Sequence, residues 1–156
     1  MIVVGEYHSR EGADLDPGEF ICVDFDQGRL YGVRTIFASR PVIVVLKSEE
    51  PGFKGPYLLN PQTVGRCLSF GFNWVLEPAI GSELPPGKGH QVPGYLAIYS
   101  EDFHVVTLIN QQSVGTVSLS GQSANSDAVA YGAFFQSWRI WRSEAEVGAG
   151  TPIVTM

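Results

Sequence analysis

The chain has 156 residues, 44% apolar and 12% aromatic, with 16 acidic against 10 basic side chains and a formal net charge of −6. That length makes one domain with an internal core, and the apolar share excludes a disordered chain. An acidic chain without clustered Lys and Arg has no source of phosphate neutralisation, so nucleic acid is not an expected partner. No segment approaches the roughly 18 uninterrupted apolar residues of a membrane-crossing helix. Met1-Ile2-Val3-Val4-Gly5-Glu6-Tyr7 lacks the basic-then-apolar order of an export signal. The expectation is a chain with no membrane span, cytoplasmic or released without a usual signal, and extracellular if it is an already processed product.

Short apolar runs between Gly, Pro, Asn and Asp clusters predict strands throughout. The clearest hairpin is Phe20–Phe25, Asp26-Gln27-Gly28, then Arg29–Val33, because a left-handed Gly closes a three-residue turn. Asp14/Asp16 and Asp24/Asp26 precede Gly18 and Gly28 as in the start of a calcium loop, but the later bidentate Glu is missing. Asp and Gly turn chemistry is the reading, and no metal is expected. Further strands are predicted to begin near Val42, Tyr57, Cys67, Trp74, Tyr95, Val105, Val114 and Trp138. Ser126–Tyr131 opens on a capping residue and predicts a helical turn or two, ended by Gly132. Cys22 and Cys67 fall in apolar strands, where reduced, buried thiols are expected.

The chain also resembles itself. Val42–Gly65 aligns with Gly94–Gly115 when Pro51-Gly52 is set aside as an insertion, and 8 of 22 pairs are identical. Leu46–Glu50 then faces Ile98–Asp102, Phe53 faces Phe103, and Leu58–Gly65 faces Leu108–Gly115. Each copy leads to a tryptophan strand, Phe72–Leu76 and Gln136–Ile140. A third unit is expected near the start, with Tyr7-His8-Ser9-Arg10-Glu11 in the place of Leu46–Glu50. Units of about 2–41, 42–93 and 94–143 then complete one core inside the single domain 1–156.

On these residues the chain resembles the β-trefoil superfamily, which builds three four-strand units around a pseudo-threefold axis. Gln136-Ser137-Trp138 is similar to the Gln-x-Trp motif of ricin-B-type lectins, and Phe72-Asn73-Trp74 keeps only its tryptophan. The resemblance implies an all-β trefoil with a lectin-like or protease-inhibitor-like role. The alternative is a β-sandwich or Greek key, since Glu50-Pro51-Gly52-Phe53-Lys54-Gly55 is similar to a βγ-crystallin strand; Ser48 stands where that strand has an aromatic.

Candidate binding residues follow the repeat. Asn60 and Gln62 recur as Asn110 and Gln112, and Glu50 and Phe53 recur as Asp102 and Phe103. Amides and carboxylates supply the fixed donors and acceptors that hydroxyl-rich ligands need, although a shared turn accounts for the same spacing. Trp138 and Ile140 share one strand face, Arg139 and Trp141 the other. With the first pair inward, Trp141 beside Arg139 is expected outside, where it stacks on a sugar or anchors a protein partner. Ser100, Asp102 and His104 share a strand face at a spacing of about 6.6 Å, too far apart for a nucleophile and its base.

The leading expectation is therefore a non-catalytic carbohydrate-binding protein with repeated shallow sites. A protease inhibitor or other protein-binding trefoil acting through Gly81–Gly89 is second, and a hydrolase whose site converges from distant segments is third. No cofactor is expected. The partner is a glycan or a protein ligand, and the aromatic content points to a self-association surface, at most a homodimer.

Overall fold

Asp16-Pro17-Gly18-Glu19 and Val92-Pro93-Gly94-Tyr95 form the same tight turn, closed by Glu19 N–H to Asp16 O at 3.1 Å and by Tyr95 N–H to Val92 O at 3.0 Å. Proline presets φ at the second position, and glycine takes the positive φ that the third position demands, +89° at Gly18 and +96° at Gly94. Each turn launches a meander. In the computed structural model, which describes residues 8–85, 91–121, 129 and 131–156, the strands before the second turn are β1 (His8–Glu11), β2 (Phe20–Phe25), β3 (Gly28–Phe37), β4 (Arg40–Ser48), β5 (Tyr57–Leu59), β6 (Arg66–Gly71) and β7 (Val75–Pro78). After it come β8 (Leu96–Tyr99), β9 (Asp102–Leu108), β10 (Val114–Ser118), β11 (Ala133–Phe135), β12 (Trp138–Trp141) and β13 (Val154–Thr155). An α-helical turn, α1, spans Pro61–Val64. The all-β class expected from the sequence holds over these residues.

Ten strands form one sheet, in the order β1-β6-β2-β3-β4-β5-β9-β8-β11 with β10 on β9, and β13-β12-β7 form a second. The pairing within them repeats. Phe20 faces Val33 across β2–β3, and Leu96 faces Val105 across β8–β9. Val33 and Val105 in turn face Val44 and Val117. Gly18 N–H and Arg34 N–H bond Arg34 O and Glu19 O at 2.7 and 3.0 Å; Gly94 N–H and Val106 N–H bond Val106 O and Tyr95 O, both at 2.9 Å. The outer neighbour of β2 is β6, that of β8 is β11, and Glu83 bridges Phe135 where β1 pairs with β6. Trp74 Nε1 donates to Gly18 O at 2.9 Å, and Trp138 Nε1 donates to Gly94 O at 2.8 Å. Finally β7 and β12 pair with each other, Leu76 opposite Ile140. These residues each lie two beyond their tryptophan, so a pseudo-twofold axis passes between them and relates a first half, 8–78, to a second half, the described residues of 83–141.

The halves enclose one core. Phe20, Val33, Val44 and Leu46 from the first pack with Leu96, Val105, Val117 and Leu119 from the second, together with Trp138, Ile140 and Val154. Burying each such side chain stabilises by about 1.5–3 kcal/mol. Strands β2–β4 are apolar on both faces, because Ile21, Val23, Leu30, Ile43 and Val45 form a second cluster with Leu15 and Cys67. Phe53, Tyr57, Leu59 and Val64 cover that cluster. Cys22 and Cys67 are free and buried, and burial raises both thiols, Cys67 up to about 11.

The repeat in the hydrogen bonding is thus twofold and runs over different segments from those aligned in sequence; these pairings do not identify a trefoil. The counterpart of Leu96 is Phe20, not Val44. β4 and β5 are joined by the loop 49–56, whereas β8 and β9 are joined by Ser100-Glu101 alone, at φ +52° and +61°. A type I′ hairpin turn requires those left-handed values. Of the helical turn expected over 126–131, only Val129 and Tyr131 lie among the described residues. Within the described residues no helix is long and apolar enough to cross a membrane.

Candidate functional site

The repeated amides are turn residues. Asn60 Oδ1 accepts from Gln62 N–H at 3.0 Å, and Asn110 Oδ1 accepts from Gln112 N–H at 2.8 Å. Pro61 then continues the first turn into α1, while the second runs on into β10. Because β5 and β9 run parallel through Tyr57 and Leu108, both asparagines stand at the same end of that strand pair. Asn110 lines a cleft of about 590 Å³ there, beside Tyr57 and Leu58. Glu50 Oε1 accepts from Tyr57 Oη at 2.6 Å, and burial followed by this bond raises the phenol pKa. Phe53 packs on Tyr57 with ring centroids 6.1 Å apart, and Phe103 packs against the central core.

The expectation that Trp141 is exposed is corrected: its fractional exposure is 3%. The alternation of β12 stops at its last residue, where Trp141 pairs with Val75. Arg139, which is exposed, lays its guanidinium over the indole at 5.9 Å and reaches Glu77 at 3.4 Å. That ring is not available to stack on a sugar.

Asp102 belongs to a hydrogen-bonded network. Its Oδ2 accepts from Ser118 Oγ at 2.5 Å and lies 3.8 Å from His104 Nε2, while Oδ1 accepts from Phe103 N–H at 2.9 Å. Ser118 Oγ also lies 2.9 Å from Ser120 Oγ. Burial holds the His104 pKa below its ordinary value, with Asp102 pulling the other way. Serine here bonds the carboxylate rather than the imidazole, so the three groups do not form a nucleophile–base relay. Ser100 stands apart on the turn.

The open polar site lies in the first half, around the turn at Gly18. Glu19 follows the turn glycine, and the turn carries its side chain inward to 2% exposure. Its Oε1 accepts from Asp16 N–H at 3.0 Å and sits 3.5 Å from Arg10 Nη2. Arg10, on edge strand β1, also donates to Asp14 O and lies 3.8 Å from Asp16. These groups open into a pocket of about 620 Å³ with His8, Ser69, Phe72 and Asn73. Gly71, at φ +74°, ends β6 and turns the chain outward, leaving Phe72 56% exposed on the rim. Phe70 and Arg142 form the far wall, the guanidinium 5.4 Å from the ring centroid. The site therefore presents an aromatic ring, a buried carboxylate, guanidinium groups, an amide and an imidazole to one concavity.

None of these residues was singled out by sequence as a site. Phe72-Asn73 is visible only as the degenerate partner of Gln136-Ser137. The signal that finds the pocket is the carboxylate after Pro17-Gly18, where Pro93-Gly94 is followed by Tyr95. Among the described residues no three His, Cys, Asp or Glu side chains gather where they could hold a metal ion. Of the loop Gly81–Gly89, residues 86–89 lie outside the described residues. Compared with protein-family models, curated proteins and solved structures, the chain matches none of them.

Proposed function

We propose that the chain is a non-catalytic carbohydrate-binding module whose site is the Phe72 pocket. The observation that carries this reading is an aromatic ring more than half exposed at the mouth of a pocket that also holds a buried carboxylate. An apolar ring face packs against the C–H face of a pyranose, while fixed polar groups take its hydroxyls. Glu19 accepts, Arg10 donates, and Asn73 does both. Leaving a large aromatic in water gains nothing for folding, and beside it Glu19, whose charge Arg10 balances, keeps a carboxylate on the pocket wall. Their placement in one pocket is explained by a ligand that needs both.

A glycan array followed by isothermal titration of the hits tests the reading. Phe72→Ala is expected to weaken any hit by about tenfold or more, the scale of a buried aromatic anchor. Glu19→Gln is expected to weaken it without unfolding the chain. Silence across the array, or hits that Phe72→Ala leaves untouched, would remove the proposal.

A further inference from the structure

The Phe72 pocket does not end at its far wall. A second pocket of about 510 Å³, bounded by Tyr31, Glu146, Thr151 and Ile153, shares Phe70 and Arg142 with it. Arg142 therefore stands at the junction of two concavities, each of the size that holds a small-molecule unit. The other arginines of the groove are engaged. Arg29 donates to Asp24 through Nε at 2.6 Å and Nη2 at 3.2 Å, and Arg10 is held by Glu19 and Asp16. Arg142 has the Phe70 ring as its neighbour and, among the described residues, no hydrogen-bond acceptor and no acidic partner.

A guanidinium carries five N–H donors in one plane, and its natural complement is a planar or tetrahedral oxyanion that takes two of them at once. Arg142 is part-buried, and with no ion-pair partner among the described residues its donors remain open to a ligand. Nor does the backbone require an arginine there, since the pseudo-twofold counterpart of Arg142 is Pro78.

We infer that the two pockets form one groove for an acidic oligosaccharide, with a sugar unit in each pocket and an anionic substituent, carboxylate or sulfate, on Arg142. This rests on the carbohydrate reading of the Phe72 pocket and adds the charge and the extended form of the ligand.

The test is isothermal titration of the whole chain with a short oligogalacturonide, its methyl-esterified counterpart and a heparin-derived oligosaccharide. Wild type, Arg142→Gln and Arg142→Lys are compared, with urea midpoints confirming that each is folded. The acidic form is expected to bind at least about tenfold tighter than the ester, and Arg142→Gln to lose about 10–100-fold, as removal of a charge-assisted pair does. Arg142→Lys restores only part, because it keeps the charge and loses the fork. Binding of the sulfated probe alone, with the same dependence on Arg142, supports the inference and assigns the anion as sulfate. Equal binding of acid and ester, or acid binding indifferent to Arg142→Gln, overturns it. Neutral glycans held at Phe72 with no acidic ligand overturn it while leaving the carbohydrate reading intact; silence with every glycan overturns both.

Discussion

Glu19 and Tyr95 occupy the same position in the two halves, one after each Pro-Gly turn and each bonded through its carbonyl to the adjoining strand. In the first half that position holds a carboxylate facing an open pocket. In the second, the Tyr95 hydroxyl accepts from Gln136 Nε2 at 3.1 Å. The same turn closes with either side chain, so the carboxylate is not needed to make it. The outer sheet faces differ in the opposite sense. Leu30, Gly32 and Val45 of the first half correspond by register to Asp102, His104 and Ser118 of the second. Duplication thus supplies an internal control: what both halves share is what the fold requires, and what one half alone carries needs another explanation.

The shared elements give the largest expected effects. Trp138 and Trp74 make matching indole bonds, but Trp138 is 1% exposed whereas Trp74 is only partly buried. Trp138→Ala is expected to cost about 3–5 kcal/mol and Trp74→Ala clearly less, read from urea unfolding. Equal losses would mean that the two halves depend equally on their tryptophans and that the burial difference is immaterial.

Exchanging the unshared residue sharpens the comparison. Glu19→Tyr gives the first half the residue of the second and is expected to abolish binding in the pocket. Stability should fall by no more than about 1–2 kcal/mol, because what is lost is one bond to the Asp16 N–H and the pairing of an Arg10 side chain that water still reaches. A chain that unfolds on this substitution would show that Glu19 holds the turn or the edge strand, and the pocket would lose its strongest argument.

The polar outer face of the second half gives a pH dependence of its own. Burial lowers the His104 pKa, so below the ordinary value of about 6.5 the unfolded chain takes up a proton that the folded chain resists. Stability from this group is therefore fully present above that pH and is lost as pH falls toward the folded value. The urea midpoint should decline between pH 7 and 5.5, above the carboxylate range, and His104→Gln should flatten the decline. An unchanged slope in the variant would place the pH dependence elsewhere.

Strand identity was legible because alternation and turn residues act locally: the Phe20–Phe25 hairpin and the strand starts at Val42, Tyr57 and Trp138 lie close to those observed. The repeat in the backbone pairing differs from the one in the letters for a physical reason. Pro17-Gly18 and Pro93-Gly94 are a short match embedded in divergent strands, and strand equivalence is carried by backbone bonds that many side chains satisfy. The Asn-x-Gln similarity is stronger in letters because an Asx turn restricts side-chain identity directly. Trp141 was misplaced because face alternation presumes a strand that continues, and β12 ends there. The pocket was illegible because it joins β1, the turn at Gly18, the end of β6 and Arg142, segments that only tertiary packing brings together.

The smallest effect separates turn from site at the repeated amides. Asn60→Ala and Asn110→Ala each remove one acceptor for a backbone N–H, and each is expected to cost about 0.5–1 kcal/mol. Asn60 caps α1 and has Pro61 behind it to hold the helical conformation, so its loss should be the smaller of the two. Neither change should alter binding at the Phe72 pocket, which neither residue lines. Titration of both variants with the same glycan reads this directly. A fall in affinity at unchanged stability would return the ligand to the end of the β5–β9 pair, where both asparagines stand, and the difference between the halves would then lie in their strand ends rather than in their Pro-Gly turns.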